Sequence, residues 1–168
     1  MLFPPPAPDS DPAFSLRLEV DRPLGKGRGR AAIIGGKPRI HTPAPTRNME
    51  RDIKRAAFTA IRLRGFGDAL TETLPGGRVV LAGPLRALIV GVWPRPKSMK
   101  SKHPGRQWRP SAPDCDNVAK LVLDALNKCA YNDDSNVVGL HVQTVYARIE
   151  ESAAIEVYLW PASAFPSE

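Results

Sequence analysis

The sequence predicts an α/β (α+β) domain, a mixed β-sheet with two main helices packed on it. Two segments repeat apolar residues at helical spacing, 46–64 and 117–128, and four runs read as strands, 14–20, 84–94, 136–147 and 154–160. The chain has 168 residues, of which 42% are hydrophobic, enough to bury one core.

The elements follow in order. Residues 1–13 are Pro-rich and expected to form a disordered tail, with the folded domain over 14–162 and a flexible end over 163–168. FSLRLEV (14–20) alternates apolar and polar side chains, the period of a half-buried strand. The Gly-, Arg- and Pro-rich stretch after it reads as a long loop or irregular hairpin, with short strands at Ala31–Ile34 and Arg39–His41 around Gly35-Gly36. Thr46 or Asn48 can cap a helix to Arg64 whose apolar face is Met49, Ile53, Ala56, Ala57, Ala60, Ile61 and Leu63, stopped by Gly65 and Gly67. The segment DALTETLPGGRVVLAG fits either a short helix and turn or a turn and strand. PLRALIVGVWP is apolar throughout, as a central strand is. In the second helix Val118, Leu121, Val122, Ala125 and Leu126 recur on one face, with Asp116 suited to the N-cap. The last two strands are expected to form an antiparallel pair.

Charge narrows the function. Lys and Arg outnumber Asp and Glu by 24 to 17, a formal charge of +7. Twelve bases against two acids lie between Arg22 and Arg64, and six bases with no acid lie between Arg95 and Arg109. Such clusters suit a polyanion, nucleic acid foremost. No secretory signal or spanning apolar run is visible and there are two cysteines, Cys115 and Cys129, so a cytoplasmic protein with reduced thiols is expected, with no membrane partner. Gly25-Lys26-Gly27-Arg28-Gly29 lacks the spacing of a nucleotide-binding phosphate loop, and His41, His103 and His141 have no metal-site spacing.

Against this basic background, acids gather at the two ends of the second helix: Asp114 and Asp116 before it, Asp133-Asp134 after it. Carboxylates are the ligands Mg²⁺ prefers, and acids on a phosphate-binding surface repel the substrate unless a cation lies between them. In an extended segment Asp114 and Asp116 share a face. A twelve-residue helix is roughly 18 Å long, so Asp134 joins them only if the chain returns to the helix start. Lys120, four residues after Asp116, can contact phosphate or form an i, i+4 ion pair with Asp116, and Asp124 can pair with Lys128. Cys115 reads as a filler between two hard ligands. Trp93 reads as core, Trp160 as end-of-strand packing, and Trp108 as either a packing residue or a base-stacking one.

The run D-C-D-N-x-x-K-x-x-x-D-A-L-N-K…Y-N-D-D-S-N-V-V, over Pro113–Val138, resembles the RusA family of Holliday-junction resolvases. The stretch GKGRGRAAIIGGKPRIHTPAPTRNME is similar, more weakly, to the family's region before its first helix. The resemblance implies a Mg²⁺-dependent endodeoxyribonuclease, with Mn²⁺ able to substitute, that acts as a nucleoid-associated homodimer in DNA recombination and repair and nicks four-way junctions symmetrically. It implies Asp114, Asp116 and Asp134 as metal-binding catalytic carboxylates and Lys120 as the functional lysine. Phosphate contacts are then expected from Arg28, Arg30, Lys97, Lys100, Lys102, Arg106, Arg109 and Lys120. Gly29 stands where the family often has Pro, and the loop His103–Trp108 departs from it. A non-catalytic branched-DNA-binding protein and a nuclease for flaps or other branched DNA are the alternatives.

Overall fold

The computed structural model describes residues 11–27, 29–34, 37–99 and 104–162. Most of the expected tail, residues 1–10, and the expected flexible end, 163–168, lie outside them. In chain order the elements are β1 (Phe14–Glu19), β2 (Arg30–Ile34), β3 (Lys37–His41), α1 (Ala44–Arg64), β4 (Thr71–Leu74), β5 (Arg78–Leu81), β6 (Leu85–Trp93), β7 (Gln107–Trp108), α2 (Cys115–Leu126), β8 (Val137–Tyr146) and β9 (Ala154–Pro161). A mixed five-stranded sheet has the order β1-β9-β6-β8-β7, while β2-β3 and β4-β5 are separate antiparallel hairpins.

The fold class is the expected α+β arrangement, and β6 is central because its nine residues are apolar enough to be covered on both faces. Alternation along the strands divides the core in two. Ala87 and Ile89 of β6, Ile155, Val157 and Leu159 of β9, and Phe14 and Leu16 of β1 pack with Ile53 and Ala57 of α1 and with Val118, Leu121, Val122 and Leu126 of α2. On the other face Val90, Val92, Val145, Ala147 and Ala154 form a smaller cluster.

Several local expectations are corrected. The helix α1 starts before both proposed caps: Pro43 is its N-cap and Pro45 lies in its first turn, where a missing N–H costs nothing. Thr46 is buried instead, and its hydroxyl accepts the Gly27 N–H at 3.2 Å. Leu63 leaves the apolar face and is 77% exposed. Gly65, at φ 64°, ends the helix as expected. The ambiguous segment is a turn and a hairpin, β4–β5, not a helix. The pairing of the last two strands differs most. β8 and β9 do not pair with each other; β6 lies between them, antiparallel to β9 and parallel to β8.

That parallel pairing governs the site. Two parallel neighbours need a crossover to carry the chain back, and α2 is that crossover. Its first turn therefore lies at the C-terminal ends of β6 and β8, and its last turn near the start of β8. The contacts agree: Cys115 Sγ lies 4.0 Å from Thr144 Oγ1, whereas Tyr131, after the helix, donates its hydroxyl to Leu123 O at 3.0 Å.

Candidate active site

Asp114, not Asp116, is the N-cap of α2, with extended backbone at φ −73° and ψ 161°. Asp116 sits inside the first turn, so the shared-face argument for an extended pair does not apply. Both carboxylates are exposed, the Asp114 side chain makes no capping hydrogen bond, and both lie at the positive end of the helix dipole. Their charge is thus free for a ligand. Two carboxylates, with water and phosphate completing the shell, are a donor set that fits Mg²⁺.

Asp133 and Asp134 divide into two roles. Asp133 accepts the Ser135 N–H at 3.1 Å while its own N–H donates to Asn136 Oδ1 at 3.1 Å, a reciprocal cap on the short 3₁₀ turn 134–136. The bonds to Ser135 hold its carboxyl below the usual carboxylate range. Asp134 stands exposed in that turn, immediately before β8. The rise from Val137 to Thr144 along β8 is roughly 23 Å, so within one chain Asp134 and the Asp114–Asp116 pair lie toward opposite ends of β8. Among the described residues no three His, Cys, Asp or Glu side chains come together to hold a metal ion. The return to the helix start that a single-chain cluster requires is not made.

Lys120 is exposed on α2, and its ammonium is 4.0 Å from Asp124, one turn further on, rather than paired with Asp116. Asp124 does not pair with Lys128, because the helix ends at Leu126 and Lys128 turns to positive φ, bonding Asn132 instead. The main partner of Asp124 is Lys26, at 2.6 Å, which also reaches Glu50 at 2.5 Å. Burial opposes the charge on Lys26, but its bonds to Asp124 and Glu50 outweigh it and raise its pKa. Lys26 was visible only as one base in a Gly-rich run. Its structural role comes from joining α1 to α2, with its own N–H donating to Asn117 O at 2.8 Å.

Beside the acids lies a cleft of about 320 Å³, lined by Arg22, Gly25, Lys26, Trp93, Arg109, Pro113 and Asn117 among others. Arg109 stacks over Trp93, 4.0 Å from the ring centroid, and its side chain bonds Ser111 O at 2.6 Å. Burial chiefly, and the like charge of Arg22, lower its pKa. Two guanidinium groups that repel across a cleft with no acidic lining make a receptor for an anion. The Arg109–Trp93 stack carries no sequence signal, since the pair is joined only by the sheet.

The other expected phosphate contacts scatter. Lys97 is exposed; Arg28, Lys100 and Lys102 lie outside the described residues, and of Arg30 only the backbone, in β2, is described. Arg106 is committed within the protein: it bonds Glu151 at 2.5 Å and Glu156 at 2.7 Å, while Arg17 also pairs with Glu156. The two glutamates keep only 5% and 7% of their side-chain surface, so Arg106 neutralises buried charge. Burial pushes the Glu151 carboxyl up, but Arg106 and the Arg148 backbone N–H hold it below its ordinary value. Trp108 is 47% exposed, whereas Trp93 and Trp160 are buried as expected. No helix among the described residues is long and apolar enough to cross a membrane.

Comparison with known proteins agrees with the motif. A protein of Bacillus subtilis (strain 168), described as "Uncharacterized protein YqaN", is 29% identical over 149 residues, covering 84% of this chain and 92% of that protein. Residues 22–159, which hold β2 to β8, the acid motif and most of β9, match the family described as "Endodeoxyribonuclease RusA". The chain belongs to the RusA endodeoxyribonuclease family.

Proposed function

We propose that this protein is a Mg²⁺-dependent endonuclease that resolves four-way DNA junctions as a homodimer in recombination and repair. The observation that carries the reading is the pair of exposed carboxylates, Asp114 and Asp116, at the C-terminal edge of the sheet beside a cleft lined by Arg22 and Arg109. Acids alone would repel DNA and bases alone would only bind it; together they suit a phosphodiester held against a cation.

Asp114, Asp116 and Asp134 would hold Mg²⁺ or Mn²⁺, which when bound supplies charge neutralisation and an activated water. Arg22, Arg109 and Lys97 bind the DNA backbone, fixing position without reading sequence. Lys120, exposed on the same helix as Asp116, stabilises charge on the phosphate and the leaving oxygen. Lys26 supports it by taking up the nearer share of Asp124, so the Lys120 ammonium stays available. Asp134 is distant within one chain, and a homodimer answers that distance by supplying it from the second copy. A two-fold dimer also matches a substrate with two equivalent strands to nick.

The deciding experiment is cleavage of a synthetic four-way junction with Mg²⁺, comparing wild type with Asp116→Asn and using linear duplex as control. Paired nicks in the junction alone, lost in the variant while binding persists, are the expected result. Tight binding with no cleavage in Mg²⁺ or Mn²⁺ would overturn it in favour of a non-catalytic branched-DNA-binding protein.

A further inference from the structure

Helix α1 carries its bases in a stripe that the candidate site does not use. Arg47, Arg51, Lys54, Arg55, Phe58 and Arg62 stand at i, i+4, i+7, i+8, i+11 and i+15, so they share one face. The two acids of α1, Glu50 and Asp52, lie on either side of that face. The stripe forms a wall of a cleft of about 630 Å³ between α1 and α2, which Glu50 and Asp124 also line. Lys26 already holds both of these carboxylates, at 2.5 and 2.6 Å, so neither is free to neutralise the stripe. Arg47, Arg55 and Arg62 are exposed and, among the described residues, have no carboxylate partner. Arg51 reaches Asp52 at 3.3 Å, and Lys54 donates to Asn127 O at 3.5 Å. A solvated helix face ordinarily alternates signs, because like charges one turn apart destabilise it. Here the one-turn neighbours Arg47–Arg51 and Arg51–Arg55 are both like-charged. A bound polyanion removes that repulsion.

We propose that this stripe is a second DNA-binding surface, which grips the sugar-phosphate backbone of a duplex arm away from the cleavage point. It rests on the reading of the chain as a nuclease for branched DNA, and adds to the cleft of Arg22 and Arg109 a contact made by another element. From Arg47 to Arg62 the stripe is roughly 22 Å long, the length of about six base pairs of duplex. Its helix meets the second half of α2, through Lys26 at Asp124 and Lys54 at Asn127. The stripe is therefore roughly 16 Å along α2 from Asp116, and an arm laid on it is engaged beyond the nucleotides that reach the acids.

The surroundings of Phe58 select the partner. Arg78, on β5, extends the basic surface, and its guanidinium lies over the Phe58 ring, 4.9 Å from the centroid. The aromatic ring of the cleft lining is thus engaged by a cation and not open to the base stacking that holds single strands. A protein partner needs a buried apolar or aromatic anchor at the centre of its interface, and the same contact removes it. Arginines spaced along a helix without such an anchor suit phosphates, which they hold without reading sequence.

The test is Arg51→Gln combined with Arg55→Gln in the full-length chain. A control removes the same charge elsewhere, Arg86→Gln with Arg148→Gln; all four side chains belong to exposed residues. Glutamine suits a helix and the stripe variant loses a like-charge contact, so its circular dichroism and urea midpoint should equal or exceed those of wild type. Fluorescence anisotropy with a labelled four-way junction and with a linear duplex should show weaker binding of the stripe variant to both. The slope of its log affinity against log salt should fall by about 2, while the control keeps the wild-type slope. The protein concentration that half-saturates junction cleavage should rise with the loss of affinity. A stripe variant that binds both DNAs as wild type does would overturn the proposal and leave the stripe to an acidic protein. Equal losses in the control would overturn it too, reducing the effect to net charge. The two readings fail separately. If wild type never cleaves but its duplex binding depends on the stripe, the nuclease falls and the surface stands. If wild type cleaves and the stripe variant binds equally well, the surface alone falls.

Discussion

At the residue scale, the acids at the ends of α2 are not equivalent. Asp114 and Asp116 are exposed at the helix start, whereas Asp133 is occupied in capping its own turn and Asp134 is exposed next to it. In junction cleavage Asp114→Asn and Asp134→Asn should each lower the rate by about 10²-fold or more, while Asp133→Asn should leave it within several-fold of wild type; binding measured in parallel should be retained in all three. The two cysteines divide in the same way. Cys115 is exposed, whereas burial pushes the Cys129 thiol up to about 11. Maleimide at neutral pH should therefore modify one thiol quickly and the second only on unfolding, as mass spectrometry would count. Because the folded pKa of Cys129 is raised, its contribution to stability is whole below about pH 8.5 and is lost as pH rises toward about 11.

At the element scale, the segment before β2 acts as a strap over the start of α2. A Cβ on Gly25 would lie 2.6 Å from Pro113 Cβ and 3.0 Å from Asn117 Cβ, so the strap lies against the residues that flank Asp114 and Asp116. Gly25→Ala should destabilise the fold by about 1–3 kcal/mol and also slow cleavage, because the shift it forces moves the helix start. Urea unfolding and junction cleavage on the same preparation would show both losses; a loss of stability alone would mean that the strap gives way and the helix stays. This contact was not legible in the sequence, where Gly25-Lys26-Gly27 looks like any flexible loop. Glycine there is needed for close approach to a helix 90 residues further along the chain.

For the whole molecule, charge is organised on opposite faces of the sheet. Arg22 and Arg109 line the cleft beside the acids, while Arg17 and Arg106 neutralise Glu151 and Glu156 on the sheet. Arg22→Ala should weaken junction binding and reduce the slope of log affinity against log salt by about 1. Arg106→Ala should instead cost about 3 kcal/mol of stability by leaving the two buried carboxylates of Glu151 and Glu156 to share Arg17 alone. The Glu151 carboxyl is depressed in the folded protein, so the stability it contributes is present above the ordinary glutamate value of about 4.3 and is lost as pH falls through its lower folded value. Denaturant midpoints measured across that range should fall less steeply for Glu151→Gln than for wild type.

The α+β class, both helices, the principal strands and the acid motif with its family are legible in the linear chain. Each of these rests on local periodicity or on residues close together in the chain, which one-dimensional spacing records. Which of these elements and side chains meet is set by long-range folding. β6 lies between β8 and β9, and its parallel pairing with β8 sends α2 back along the sheet, so Asp134 is carried away from Asp114 and Asp116. Lys26 binds Asp124, Arg106 binds Glu151 and Glu156, and Arg109 stacks on Trp93, because strands and helices far apart in the chain are brought together. Spacing along a chain sets which face a side chain takes within its own element. Strand order and direction set which faces meet, and they follow from long-range pairing that no local pattern encodes.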